Sequence, residues 1–267
     1  MPKEKVGDIN MYYEIHGDGE PLVVINGAGV SSDLSYPLIP IYSSKYQMVL
    51  FDNRGAGQTD APDIPYTYKM MADDLAGLLD FLSIGSAHIW GTSMGGMIAQ
   101  HFALHYPERV RSLVLACTSC GGPRSIGADP EVIEAGQRLQ GLSVKELMME
   151  TTRLGVSQEW MDNNPEELEQ ILVLMMKHPI SPKGQMRQME ALMSHDTYER
   201  LSDIKAPTLV IHGDADKLIP VENAKIIALN IPGAELVILE NMGHFFIIEA
   251  SEESNRIILE FLSRHKS

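Results

Sequence analysis

The stretch Ala87–Gly96, A-H-I-W-G-T-S-M-G-G, constrains this chain more than any other. Ala87–Trp90 is a short apolar run with the character of a buried strand. From Met94 onward, Met97, Ile98 and Phe102 recur at helical spacing, with small Gly95, Gly96 and Ala99 among them. Strand and helix meet at Gly91-Thr92-Ser93-Met94-Gly95, a G-x-S-x-G pattern. A serine hydroxyl is a weak nucleophile unless a base takes its proton and its Oγ stands clear of neighbouring atoms. A sharp strand-to-helix turn presents it that way, at a cost in backbone strain. Glycines on both sides let the arms of the turn approach. The start of the helix aims free N–H groups at the place where an oxyanion would form. Ordinary β–α turns rich in small residues share the pattern, so the rest of the chain has to decide.

The chain supplies a parallel α/β context. Asn10–Ile15 reads as an early antiparallel strand. Pro21–Ile25, Tyr46–Phe51, Val110–Ala116, Pro207–Ile211 and Ala234–Leu239 are apolar runs of the kind covered on both faces in parallel sheets. Thr67–Ile84 predicts an amphipathic helix, with Met71, Leu75, Leu78, Leu79 and Leu82 on one stripe and Asp73 and Asp74 off it. Alternating strands and helices imply right-handed crossovers and a mostly parallel sheet. The rhythm breaks from Gly121 to about Ile204. That block has no strand-like run but has helix patterns at Glu131–Gln140, Val144–Leu154, Pro165–Lys177 and Gln185–His195. It also carries Met148, Met149, Met161, Met175, Met176, Met186, Met189 and Met193. A helical insertion at the carboxyl edge of a sheet reads as a lid, and some of its methionines are expected to line a pliable apolar pocket.

Composition removes other classes. A chain of 267 residues, 44% hydrophobic, can bury one large core. A net charge of −15 makes nucleic acid and anionic membranes poor partners. No apolar run approaches the ~18 residues of a membrane span. The start, M-P-K-E-K-V-G-D, has no apolar segment behind its charges, so the expectation is a cytoplasmic protein without a signal peptide. Cys117 and Cys120 form a C-x-x-C that follows a strand and runs into Gly121-Gly122-Pro123. Two thiols without a second pair make a poor zinc site, so ordinary packing is expected, with no metal or organic cofactor. The sequence leaves a homo-oligomer open.

Three side chains follow separate strands of the sheet and can converge on one edge: Ser93, an aspartate of the loop 214–216, and His244. Among nine histidines only His244 follows a late strand in a glycine-containing loop; His212 is the nearest rival but precedes its loop's glycine. Asp214 and Asp216 share one loop, and the residue types alone leave both open as the acid that would orient the imidazole. Arg54 reads as held by Asp52 or by loop carbonyls rather than as a substrate ligand.

These motifs resemble those of α/β-hydrolase fold enzymes, in particular the lidded, esterase-like group that includes 3-oxoadipate enol-lactonases and cofactor-free haloperoxidases. The resemblance rests on Asn26-Gly-Ala-Gly29, Asp52-x-Arg-Gly-x-Gly57, Gly91-x-Ser-x-Gly-Gly96, Gly213-x-x-Asp216-x-x-x-Pro220 and Gly243-His244-x-x-x-x-Glu249, in the family's order and spacing. It implies an eight-stranded, mostly parallel sheet flanked by helices. The core would be residues 1–121 and 204–267, with a helical cap at 122–203. The resemblance selects Asp216 over Asp214 and implies oxyanion donors at the backbone N–H groups of Ala28 and Met94. One departure is Asn26, where the family usually has histidine; either can organise the loop by hydrogen bonding.

The expected activity is hydrolysis of a carboxylic ester with a small to medium, fairly apolar substrate, through an acyl-serine. Lactonase, carbon–carbon hydrolase, aminopeptidase and perhydrolase chemistry use the same triad in similar folds, and so do some hydrolase-fold small-molecule receptors. A dicarboxylate lactone would want a cation in the pocket, for which Arg124 and Arg138 are the candidates near the lid.

Overall fold

The apolar runs become strands of one sheet. In a computed structural model, which describes residues 3–138 and 143–266, eight strands run in the order β1-β2-β4-β3-β5-β6-β7-β8. They are β1 (Lys3–Val6), β2 (Ile9–His16), β3 (Glu20–Ile25), β4 (Tyr46–Phe51), β5 (Ala87–Thr92), β6 (Val110–Ala116), β7 (Thr208–Gly213) and β8 (Glu235–Leu239). β1 and β2 pair antiparallel, as do β2 and β4. Every other pairing is parallel, so the ends of β3, β5, β6, β7 and β8 share one edge. β1, a charged strand at the sheet's rim, has no apolar run by which the sequence could announce it.

Side chains alternate across the sheet, as a strand's two-residue period requires. On one face Val23, Ile25, Ile89, Leu113 and Leu115 pack against α2 (Tyr68–Phe81) and α3 (Met94–His105) through Leu75, Leu79, Ile98 and Phe102, with α9 (Glu222–Asn230) alongside. On the other face Leu22, Val24, Trp90, Val114 and Ile211 pack against α1 (Ile39–Tyr42) and α11 (Ser251–Ser263), while α10 (Phe246–Glu249) closes the end. Thr67 starts α2 by accepting a hydrogen bond from the Met70 N–H at 3.1 Å, the expected N-cap bond.

The chain leaves the sheet after β6 and returns at β7. Between them lie α4 (Pro130–Arg138), α5 (Val144–Gly155), α6 (Gln158–Asn163), α7 (Pro165–Lys177) and α8 (Pro182–Leu192). The last two residues of the helix pattern Glu131–Gln140 lie outside the described residues. α6 is a one-and-a-half-turn helix too short to declare a period. The two ends of this segment meet where Gly121 bridges Asp196.

Arg54 differs from its expectation. Its guanidinium is held in two bonds of 2.7 Å by Asp74 on α2 and in a third, of 3.0 Å, by Asp8. Asp52 instead accepts the backbone N–H groups of Ser32 at 2.6 Å and Gln58 at 2.7 Å, tying together the two loops beside the candidate site. Asp74, off the apolar stripe of α2, is thus buried because it has a buried fork to bind.

A cluster of neutral histidines gives the fold a pH dependence. Burial pushes His101 down to about 3 and His195 to about 4, against 6.5 in an unfolded chain. Both stay uncharged in the folded state while the unfolded chain takes up protons, so stability is present above pH 6.5 and is lost as the pH falls from there towards 4. Each group contributes up to about 1.4 kcal/mol per pH unit. Denaturant titrations at pH 7, 6 and 5 are expected to show that decline. His101→Phe, which keeps the stack on Tyr68 and removes two buried nitrogens without hydrogen-bond partners, is expected to flatten the slope by about half.

Candidate active site

The turn at Ser93 is sharp and strained. Ser93 has φ 56° and ψ −121°, a left-handed conformation that side chains other than glycine avoid. Its neighbours explain why the strain persists. A Cβ on Gly91 would collide with the Gly95 carbonyl, and one on Gly95 with the Ile25 carbonyl, so both glycines are demanded by close backbone approach. The Ser93 N–H donates to the Ala116 carbonyl at 2.9 Å, and Thr118 Oγ1 donates to the Ser93 carbonyl at 2.8 Å. The nucleophile candidate is pinned between β6 and the start of α3.

The loop after β3 faces it. A Cβ placed on Gly27 would stand 3.2 Å from Ser93 Cβ and 3.6 Å from its Oγ. Asn26 organises this loop: its side chain donates to the Ser31 carbonyl at 3.2 Å and accepts from Ser35 Oγ at 2.9 Å, while its own carbonyl accepts from Asn53 at 3.0 Å. Gln188 on α8 reaches across to accept the Gly29 N–H at 2.9 Å and to donate to the Arg54 carbonyl at 2.9 Å. Met94, first residue of α3, belongs to the turn whose N–H groups have no partner within the helix.

Asp216 and His244 are brought together. His244 Nδ1 lies 2.7 Å from Asp216 Oδ2. That bond places the proton on Nδ1 and leaves Nε2 as the free lone pair. The other carboxyl oxygen of Asp216 accepts the N–H groups of Leu218 and Ile219, each at 2.9 Å. Burial opposes ionisation of Asp216, but the charge of His244 and the hydrogen bonds from His212 and His244 outweigh it, holding the group well below the usual carboxylate range. Burial likewise opposes the charge on His244, yet the Asp216 carboxylate raises its pKa well above that of a free imidazole. Asp214 does separate work: its side chain accepts the Asn241 N–H at 2.6 Å, which holds the loop after β8.

Two neighbours of this pair carry no motif in the sequence. His212 Nε2 lies 3.1 Å from Asp216 Oδ2 and 2.7 Å from the Ile219 carbonyl. Both partners are acceptors, so Nε2 carries the proton and His212 braces the same carboxylate oxygen that His244 holds. Cys117, expected only to pack, lies close enough to His244 to help raise the pKa of its imidazole; it occupies a left-handed position, φ 40°, directly after β6. A histidine at a strand end and a cysteine after a strand look like core residues until the sheet edge places them.

The loop of His244 is anchored to the helices between β6 and β7. Glu249 accepts the Gly243 N–H at 2.8 Å through one carboxyl oxygen and the Ser157 N–H at 2.7 Å through the other. The Phe245 N–H donates to the Gly155 carbonyl at 2.9 Å. Glu249→Gln replaces one acceptor by an amide donor pointed at an N–H. The expected cost is about 2 kcal/mol of stability, read as a lowered denaturant midpoint, together with a fall in kcat.

Ser93 and His244 open on one cavity of about 1080 Å³, at the upper end of the ~300–1,000 Å³ usual for ligand pockets. Its walls come from the loops after β3 and β5 and from α4, α5, α7 and α8. Four of the eight methionines noted in the sequence, Met148, Met175, Met189 and Met193, line it, with Met97 from α3. Arg124 lies over the Tyr198 ring instead of in the cavity wall; the Arg138 side chain lies outside the described residues. Among the described residues no cluster of three or more His, Cys, Asp or Glu is placed to hold a metal ion, and no helix is long and apolar enough to cross a membrane.

Comparison with known proteins agrees with this architecture. A poly(3-hydroxyalkanoate) depolymerase of Ectopseudomonas oleovorans is 32% identical over 92% of this chain and 85% of its own length. A 2-hydroxy-6-oxononadienedioate/2-hydroxy-6-oxononatrienedioate hydrolase of Burkholderia vietnamiensis is 31% identical over 96% of this chain and 92% of its own. The crystal structure of an enol-lactonase from Burkholderia xenovorans superposes with a TM-score of 0.87 at 26% identity, covering 98% of this chain and all of that one. Residues 20–251 match the alpha/beta hydrolase fold. That match spans β3 to β8, the serine turn and the His244 loop alike, and the chain belongs to the alpha/beta hydrolase fold family.

Proposed function

We propose that this protein is a serine hydrolase that cleaves an uncharged carboxylic ester of a small to medium, fairly apolar substrate. The observation that carries the reading is the buried Asp216–His244 pair opening, with the strained Ser93, on one largely apolar cavity. In this reading Ser93 Oγ attacks the ester carbonyl while His244 Nε2 takes its proton. The backbone N–H groups of Ala28 and Met94 bind the oxyanion, at about 3 kcal/mol each. His244 returns the proton to the departing alcohol. A water then gives its proton to His244 and attacks the acyl carbon, releasing the acid and restoring Ser93. Asp216 holds the imidazole tautomer and stabilises the imidazolium, and residues 122–203 act as the cap over the core formed by 1–121 and 204–267.

A lactone is the same bond closed into a ring, and the likeness to an enol-lactonase supports it as the second substrate form. The test is to react the protein with p-nitrophenyl acetate to decanoate and to follow the burst of p-nitrophenol with intact-mass measurement. One acyl mass on Ser93 followed by steady turnover is the expected result. Turnover without any acyl-Ser93, on rapid quench, would replace the covalent route.

A further inference from the structure

The cavity carries an electrostatic filter and an exit. Among the described residues, none of the side chains lining it belongs to Asp, Glu, Lys or Arg. Three cations of the helical segment are engaged elsewhere: Lys177 with Asp33 at 2.7 Å, Arg187 with Asp63 at 2.8 Å and Glu190 at 2.7 Å, and Arg153 with Glu150 at 3.2 Å. A carboxylate placed inside would lose its hydration and find no Lys or Arg among the described residues, while the charge of His244 is already matched by Asp216 at 2.7 Å. The cavity also has an apolar rim. Ile126, Ile133, Met189 and Met193 line it and are at the same time exposed, Met193 by 89%. Met186, also exposed, continues the row of Met189 and Met193 one turn along α8. Exposed apolar side chains at the mouth of an apolar cavity mark a surface that a ligand completes.

Resting on the reading that Ser93 is the acylated residue, we propose that the site takes an ester whose apolar chain runs from Ser93 through the cavity and leaves it between α4 and α8, over the rim formed by Ile126, Ile133, Met189 and Met193. The chain is uncharged for as long as it stays inside. A negative group is tolerated on it only beyond the rim, where water reaches it.

Binding without turnover tests this. Titration calorimetry with alkan-2-ones from hexan-2-one to dodecan-2-one is expected to show affinity rising with chain length, by at least tenfold over the series. The matching oxo acids, with a carboxylate at the far end, separate the filter from the exit. 5-Oxohexanoate is expected to bind at least tenfold more weakly than hexan-2-one, while 11-oxododecanoate binds within about threefold of dodecan-2-one. Ile133→Lys, a change at an exposed position, is expected to improve 11-oxododecanoate at least threefold relative to its ketone and to leave the short pair's ratio as it was. A gain of this kind does not arise from misfolding.

No penalty at short length overturns the filter. A penalty that persists at every length, or Ile133→Lys without the selective gain, overturns the exit. Affinity independent of length, or no binding at all, overturns both. These results stand apart from the hydrolysis test. Ketones bound as expected by a protein that acylates on no ester would leave the inference standing and remove the hydrolase reading. Rapid ester turnover with indifferent ketone and oxo-acid binding would do the reverse.

Discussion

Ser93→Ala is expected to lower kcat for a p-nitrophenyl ester by about four to six orders of magnitude, with KM changed less than tenfold. The variant keeps the backbone that demands the glycines, because alanine at φ 56° bears no more strain than serine there. It keeps the cavity as well. What remains is the catalysis that oxyanion donors and binding provide alone, which in serine hydrolases is about a thousandfold or more over water. A loss much smaller than a thousandfold, in protein of unchanged thermal stability, would mean that Ser93 is not the group acylated.

Asp216→Asn is expected to cost about ten-thousandfold in kcat, and its pH profile carries the diagnostic. In the wild type, burial opposes the imidazolium but the Asp216 carboxylate more than compensates, so His244 titrates above a free imidazole. The base must be neutral to act, so kcat/KM rises with pH through that raised value. Removing the carboxylate takes away the largest influence opposing burial, and the acid limb moves to lower pH even as the plateau falls. The same linkage acts on stability. The Asp216 contribution is present above pH 3.9, the unfolded value, and is lost as the pH falls through its lower folded value. The His244 contribution is complete below pH 6.5 and is lost as the pH rises through its higher folded one. Rate profiles of both proteins from pH 5 to 10 check the first claim. An acid limb that does not move would show that His244 draws its pKa from elsewhere, with the Cys117 thiol as the neighbour to test next.

The legibility of this chain in its sequence divides along physical lines. Continuous apolar runs such as Leu22–Ile25 and Leu113–Ala116 have to be covered on both faces, so the parallel sheet could be read from them. β1 could not, because Lys3–Val6 buries Val6 alone and is otherwise held by pairing with β2. Motif spacing located Ser93, Asp216 and His244 along the chain, since each ends a strand and strands of a parallel sheet end together. It could not locate the partners that arrive sideways. His212 braces Asp216 from within its own strand's end, and Cys117 approaches His244 from the end of β6, two strands away. Arg54 found Asp74, twenty positions away on a helix, instead of nearby Asp52. Such contacts depend on which side chain points where after the sheet twists, and no local pattern encodes that. The methionine-rich block announced an apolar wall, but which methionines face inward depends on how five helices settle on one another.

The order of the strands has a consequence for the chain as it is made. The serine turn is complete once residue 96 has emerged and β3 has paired beside it, yet the proposed acid and base arrive at residues 216 and 244, in the loops after β7 and β8. A growing chain therefore carries the proposed nucleophile long before the proposed base exists to take its proton. The helices that enclose the cavity also leave the ribosome before β7 and β8 exist to anchor them. In the proposed mechanism Ser93 therefore stays an ordinary alcohol until β7 and β8 dock and bring Asp216 and His244 to the edge of the sheet.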